Sequence, residues 1–188
     1  MPANRTRVVV EAGLSIALAY VLGRFMLFKL PFGGSISLDM LPLLVFALRR
    51  GAGPGVLAGA LYGLLNYTID PVGIVHWAQF LLDYAVAYGL VGLAGLGSRM
   101  LAAQVAKGSS ATAMLTVAAP FALLGMAARF AAHYVSGIVF FAAYAPAGQP
   151  VALYSLVYNA TYMGPSAILC LVAAVFVLPV LEKAVPVR

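Results

Sequence analysis

Residues 150–182 read PVALYSLVYNATYMGPSAILCLVAAVFVLPVLE, with no charged side chain before Glu182. A helix of about 20 apolar residues spans a hydrocarbon core, so a run of this length argues for a transmembrane helix. Tyr154, Tyr158 and Asn159 gather within its first three or so turns. The rest of the run is almost wholly apolar.

The same solvent preference extends to the whole chain. Its 188 residues are 64% hydrophobic and 9% charged, where a soluble domain carries about 25% charged residues, and the mean hydropathy is +1.02. This length leaves room for six transmembrane helices with short loops, expected at about 7–29, 39–49, 54–67, 73–97, 112–140 and 150–182. The expectation is an all-α integral membrane protein, one membrane domain over residues 1–188. The second and third helices are short for a full span. The apolar stretch after Arg5 and Arg7 runs to Leu27 with no small-residue cleavage site, and reads as the first span rather than a signal peptide. Breaks are expected at 30–35, at Asp70-Pro71, at 95–98, at 108–110 and at 144–148.

The net charge of +6 does not describe a nucleic-acid surface, because the basic residues lie at helix ends rather than on one face. Arg5, Arg7, Arg49, Arg50, Arg99, Lys107, Lys183 and Arg188 all fall on one side of the expected topology. The positive-inside rule makes that side, and both termini, cytoplasmic. A single cysteine, Cys170, rules out an internal disulfide and a multi-cysteine metal cluster.

Ionisable residues at membrane depth are expensive and face a cavity or a partner. Asp83 falls about 15 Å into the fourth helix. His76, Gln79 and Asp83, spaced i, i+3, i+7, are expected on one face, with Tyr84 adjoining. Arg129, His133 and Gly137 follow at i, i+4, i+8 on the fifth helix, with Phe140 and Phe141 near its outer end. His133 then lies about 10 Å below that end, and Asn159 about 14 Å into the sixth helix. An acid, an imidazole and an amide at similar depth among aromatic rings predict a pocket open to the outside. Such a set suits a flat, nitrogen-rich or cationic heterocycle, since aromatic faces attract cations while acid and amide fix ring nitrogens and an exocyclic amine. The competing reading makes Asp83 and Arg129 a structural ion pair. The one tryptophan, Trp77, reads as an interface anchor.

Two stripes of small residues complete the inventory. Gly51, Gly55, Gly59 and Gly63 give the third helix a smooth face for packing inside the domain, and Gly13 with Ala17, beside Ser15, Ala19 and Gly23, gives the first helix a face able to dock another subunit. The chain lacks enzyme signatures. Gly51-Ala52-Gly53-Pro54-Gly55 has neither the lysine nor the Ser/Thr of a phosphate-binding loop, no HExxH motif offers a metal site, and Ser136 beside His133 is not on a nucleophile elbow. Neither an enzyme nor a bound cofactor is expected. A self-sufficient secondary transporter of a cationic heterocycle stays open, although no inverted repeat is evident.

The residues Gly33-Gly34-Ser35-Ile36-Ser37-Leu38-Asp39-Met40-Leu41-Pro42, Arg49-Arg50-Gly51, Leu61-Tyr62-Gly63-Leu64-Leu65, Leu82-Asp83-Tyr84, His133-Tyr134-Val135-Ser136-Gly137, Tyr144-Ala145-Pro146 and Leu153 to Ala160, taken in order, form one pattern. It resembles the thiamine-specific substrate-binding component of energy-coupling factor transporters along essentially the whole chain. The resemblance implies six helices, a bacterial inner-membrane location, and capture of thiamine by helices four, five and six under the loop between helices one and two. It implies that the Gly13 and Ala17 stripe meets a transmembrane coupling subunit joined to two ABC ATPases, whose ATP hydrolysis topples the binding subunit. The family's pocket positions fall on Asp83, Tyr84, His133, Gly137, Tyr154 and Asn159. Two positions depart from it: Asp83 is one methylene shorter than the glutamate some members use, and Phe141 stands where some place a tryptophan. A thiamine precursor, such as the pyrimidine half, is the alternative ligand.

Overall fold

The long uncharged runs form helices that the hydrocarbon-length argument requires. The computed structural model describes residues 5–31, 33–68 and 73–185. Four helices in it are long and apolar enough to cross a membrane: α1 (Arg5–Arg24), α4 (Trp77–Ala106), α5 (Ala111–Phe140) and α6 (Val151–Ala184). The other two, α2 (Met40–Arg50) and α3 (Ala52–Asn66), are short. At 1.5 Å per residue they reach only about 16 and 22 Å. Helix α2 survives at that length because other helices enclose it: Met40, Leu43, Leu44, Phe46, Ala47 and Leu48 are all buried. Large apolar side chains on the outside, such as Val9, Leu14, Phe176 and Val180, form the kind of surface that lipid covers.

Several boundaries differ from the sequence-based expectation. Helix α1 stops at Arg24, not Lys29, because Phe28–Lys29 (β1) pairs antiparallel with Ser35–Ile36 (β2). Two-residue strands leave no periodicity to read. The turn of this hairpin uses Gly33 and Gly34 at φ of 93° and 88°, where a side chain is strained. Helix α4 starts at Trp77, not near residue 73, and continues through the glycines at 95–98, where a break was expected. A 3₁₀ segment, Gly92–Gly97, carries it into its last turns. The expected turn at Asp70-Pro71 and the terminal Arg188 lie outside the described residues.

The glycine stripe of α3 explains how the short helices seat. A Cβ built on Gly63 would lie 2.1 Å from the Tyr84 carbonyl oxygen, and one on Gly59 would lie 2.2 Å from that of Tyr88. Backbone therefore meets backbone between α3 and α4, and any side chain there would force them apart. On α1 the small residues divide. Ala19 and Gly23 are buried against the bundle, whereas Gly13 and Ala17 are exposed and nothing lies within 4 Å of a Cβ added at Gly13.

Both described chain ends come to the end of the bundle opposite the hairpin. There Arg49 Nη1 meets Glu182 Oε1 at 2.7 Å, with both side chains buried, and Arg49 Nη2 donates to the Val185 carbonyl at 2.7 Å. Arg50 forms a two-bond ion pair with Glu11, which also accepts from Arg7 Nε at 3.1 Å. The apolar core lies between this end and the hairpin, and includes Cys170, which is 0% exposed.

Candidate ligand-binding site

At the hairpin end α4, α5 and α6 diverge around a cleft with about 790 Å³ of empty space, its mouth included. Asp83, Tyr84, His133, Gly137, Phe141, Tyr154 and Asn159 all line it. The helix starts place the three polar groups at one level: Asp83 about 9 Å from Trp77, His133 about 10 Å from Phe140 and Asn159 about 12 Å from Val151.

Asp83 reaches the cleft through a local departure from α-helix. Leu81–Val86 forms a π turn, in which each N–H bonds five residues back rather than four, so side chains on either side are out of α-helical phase. His76, Gln79 and Asp83 do not share a face, because His76 is the extended residue before the helix and Gln79 turns back to the preceding loop. His76 is exposed, caps the helix by accepting from the Ala78 N–H at 3.1 Å, and stacks on Phe140. Gln79 is buried but serves the preceding loop, accepting from the Val75 N–H at 2.9 Å and donating to the Gly73 carbonyl at 3.4 Å. Trp77 is 69% exposed and lies outside the cleft lining.

Two carboxylates, one guanidinium and one imidazole set the electrostatics. Asp83 Oδ1 lies 3.3 Å from His133 Nδ1, and His133 Nε2 is buried without a hydrogen-bond partner. Arg129 does not pair with Asp83. Its Nη1 is 4.0 Å from Asp39 Oδ1, and its guanidinium carbon is 3.9 Å from the centre of the Tyr88 ring. Arg129 Nε, also buried, has no partner. The competing Asp83–Arg129 reading therefore fails for a specific reason: Asp39, distant from Arg129 in sequence but adjacent in space, takes the cation. Asp39 thus offsets Arg129, the one Lys or Arg side chain among the described residues of the cleft lining, and leaves Asp83 as a carboxylate that faces the cleft with His133 beside it.

Asn159 lines the cleft as a brace. Its Nδ2 donates to the Ser155 carbonyl at 2.9 Å, and its Oδ1 accepts from the Tyr162 hydroxyl at 2.8 Å. Ser155 in turn donates to the Tyr134 carbonyl at 2.8 Å, joining α6 to α5. Gly137 is necessary to that joint, since a Cβ on it would lie 2.1 Å from Ser155 Oγ. Tyr154, Tyr158 and Tyr162 follow one another along α6, with neighbouring ring centres 5.8 and 6.3 Å apart. The hairpin is fastened over them: Tyr158 donates to the Gly33 carbonyl at 2.9 Å, and Ser166 Oγ accepts from the Ser37 N–H at 3.3 Å.

Sequence reasoning assigned no site role to Asp39, Tyr88, Tyr62 or Tyr162. The tyrosines were detectable by spacing, since Tyr84 and Tyr88 are i, i+4 and Tyr154, Tyr158 and Tyr162 repeat every four residues. Asp39 was not, because it falls at the expected start of the second helix, outside the three helices from which the pocket was read.

A profile of the thiamine transporter protein family, Thia_YuaJ, matches residues 9–185. Thiamine transporter ThiT of Bacillus subtilis is 39% identical over 164 residues, covering 87% of this chain and 83% of its own. ThiT of Lacticaseibacillus paracasei is 32% identical over 154 residues, covering 80% and 74%. The solved structure of ThiT from Listeria monocytogenes superposes with a TM-score of 0.79 at 30% identity, covering 97% of this chain and 96% of that one.

Proposed function

The chain belongs to the thiamine transporter protein family, and from that premise we propose that it binds thiamine in the cleft between α4, α5 and α6 and carries it across the bacterial cell membrane. What supports the ligand is the charge left in the cleft. Thiamine combines a flat aminopyrimidine with a thiazolium ring bearing one positive charge. Asp83 supplies a carboxylate that lines the cleft, in surroundings where an unpaired charge is costly. Tyr84, Phe141, Tyr154 and Tyr158 offer ring faces and edges to a flat cation. Asp83 accepts from the exocyclic amine, His133 Nε2 meets a ring nitrogen, and Gly137 and Asn159 keep the α5–α6 wall in place.

The transport step is proposed on different grounds. The sequence has no phosphate-binding loop, so energy comes from separate subunits: a transmembrane coupling protein and two ABC ATPases. The open face around Gly13 and Ala17 on α1 supports a docking site for the coupling protein. The basic residues at the helix ends opposite the hairpin support a cytoplasmic side for both termini and an outer side for the hairpin.

Titration calorimetry of the detergent-solubilised protein tests the ligand. Saturable one-site binding of thiamine is expected; no heat with thiamine but heat with its pyrimidine half would reassign the cleft to a precursor. In liposomes the isolated chain should bind thiamine without accumulating it, and accumulation driven by a proton or sodium gradient would favour a self-sufficient secondary transporter instead.

A further inference from the structure

Asp39 stands just before α2, yet its carboxylate makes no cap hydrogen bond to its own helix. It is 5% exposed and does not line the cleft. Instead Oδ2 accepts from the hydroxyls of Tyr62, at 3.2 Å, and Tyr88, while Oδ1 faces Arg129 at 4.0 Å. Arg129 and Tyr88 both line the cleft. A guanidinium thus sits in the wall of a cleft read as taking a cation, 7% exposed and with Nε unpartnered. Alone it would repel that ligand. The 4.0 Å separation is an ion pair without a hydrogen bond, so Asp39 acts on Arg129 chiefly through its charge.

We propose that Asp39 is a specificity-determining residue that never touches the ligand: by offsetting the wall charge of Arg129 it keeps the cleft selective for cations. The inference rests on the reading that thiamine occupies the cleft. Its content is a comparison of two ligands of one shape. Thiamine carries the positive ring nitrogen, and its carbon isostere 3-deazathiamine is neutral there. In Asp39→Asn, Asp83 and Arg129 offset each other, and the preference for a cation disappears. In Arg129→Gln two negative charges remain, and the preference grows. In the double variant only Asp83 remains charged, and the preference returns.

Calorimetry with both ligands on the wild type and the three variants tests this. The ratio of thiamine to 3-deazathiamine affinity should fall about tenfold or more in Asp39→Asn, the order expected for one unit charge near a low-dielectric cleft. It should rise in Arg129→Gln and come within about threefold of wild type in the double variant. Equal losses for the two ligands, with the ratio unchanged, would make Asp39 merely structural and overturn the inference. If Asp39→Asn does not fold, the opposite shift in Arg129→Gln and its reversal in the double variant carry the test, and a constant ratio across those two overturns it. A wild type that binds neither ligand would instead remove the thiamine reading itself.

Discussion

The two ends of the bundle both bury charge, and they finish it differently. Opposite the hairpin, Arg49 is bonded to Glu182 and to the Val185 carbonyl, and Glu11 is shared by Arg50 and Arg7. At the hairpin end Arg129 faces its carboxylate at ion-pair distance only, and Arg129 Nε, His133 Nε2 and Ser136 Oγ are the buried side-chain atoms without a partner among the described residues. All three belong to α5. Buried polar groups are normally satisfied; the pairing is complete opposite the hairpin and incomplete at Arg129 and His133, which line the cleft, and at Ser136, which does not.

That contrast can be broken by mutation. Arg49→Met strands Glu182 in a buried site and should lower stability by about 3–5 kcal/mol, read by thermal unfolding in detergent, while thiamine affinity of the folded fraction stays at the wild-type value. A parallel loss of affinity would show that the two ends are not separate. Asp83→Asn should do the reverse: affinity falls by about 2–5 kcal/mol, and the melting temperature without ligand stays close to wild type. Gly137→Ala sharpens the comparison, because it inserts a methyl group where Ser155 Oγ already lies. Overpacking of this kind costs about 1–3 kcal/mol, should reduce both stability and affinity, and should be partly relieved by adding Ser155→Ala. The smallest effect is expected from Arg7→Gln, which loses one partly exposed i, i+4 pair and leaves Glu11 bonded to Arg50. A stability loss of about 1 kcal/mol or less follows, with no change in binding.

The membrane character and about half of the cleft-lining positions were legible in the sequence, because polar side chains in apolar helices have few reasons to be there. Asp83, His133, Tyr154 and Asn159 fell at a common level by counting residues from helix ends. Counting failed where the helix ends or changes pitch. The helix begins only at Trp77, so His76 lies before it and Gln79 bonds the preceding loop, and the 3₁₀ segment at Gly92–Gly97 carried α4 past glycines that otherwise end a helix. The hairpin was invisible for another reason, since its strands hold two residues each. Asp39 shows a third kind of limit: it falls on a helix the pocket was not read from, and only the fold reveals that Tyr62, Tyr88 and Arg129 claim its carboxylate.

Cys170, deep in α6, has a practical consequence for watching this protein work. Thiol reagents need an accessible thiolate, and the chain's one native sulfhydryl is 0% exposed. A second cysteine introduced on the hairpin would therefore be the site that takes a fluorophore or spin label. Opening and closing over the cleft could then be followed in the native background, without first engineering a thiol-free chain.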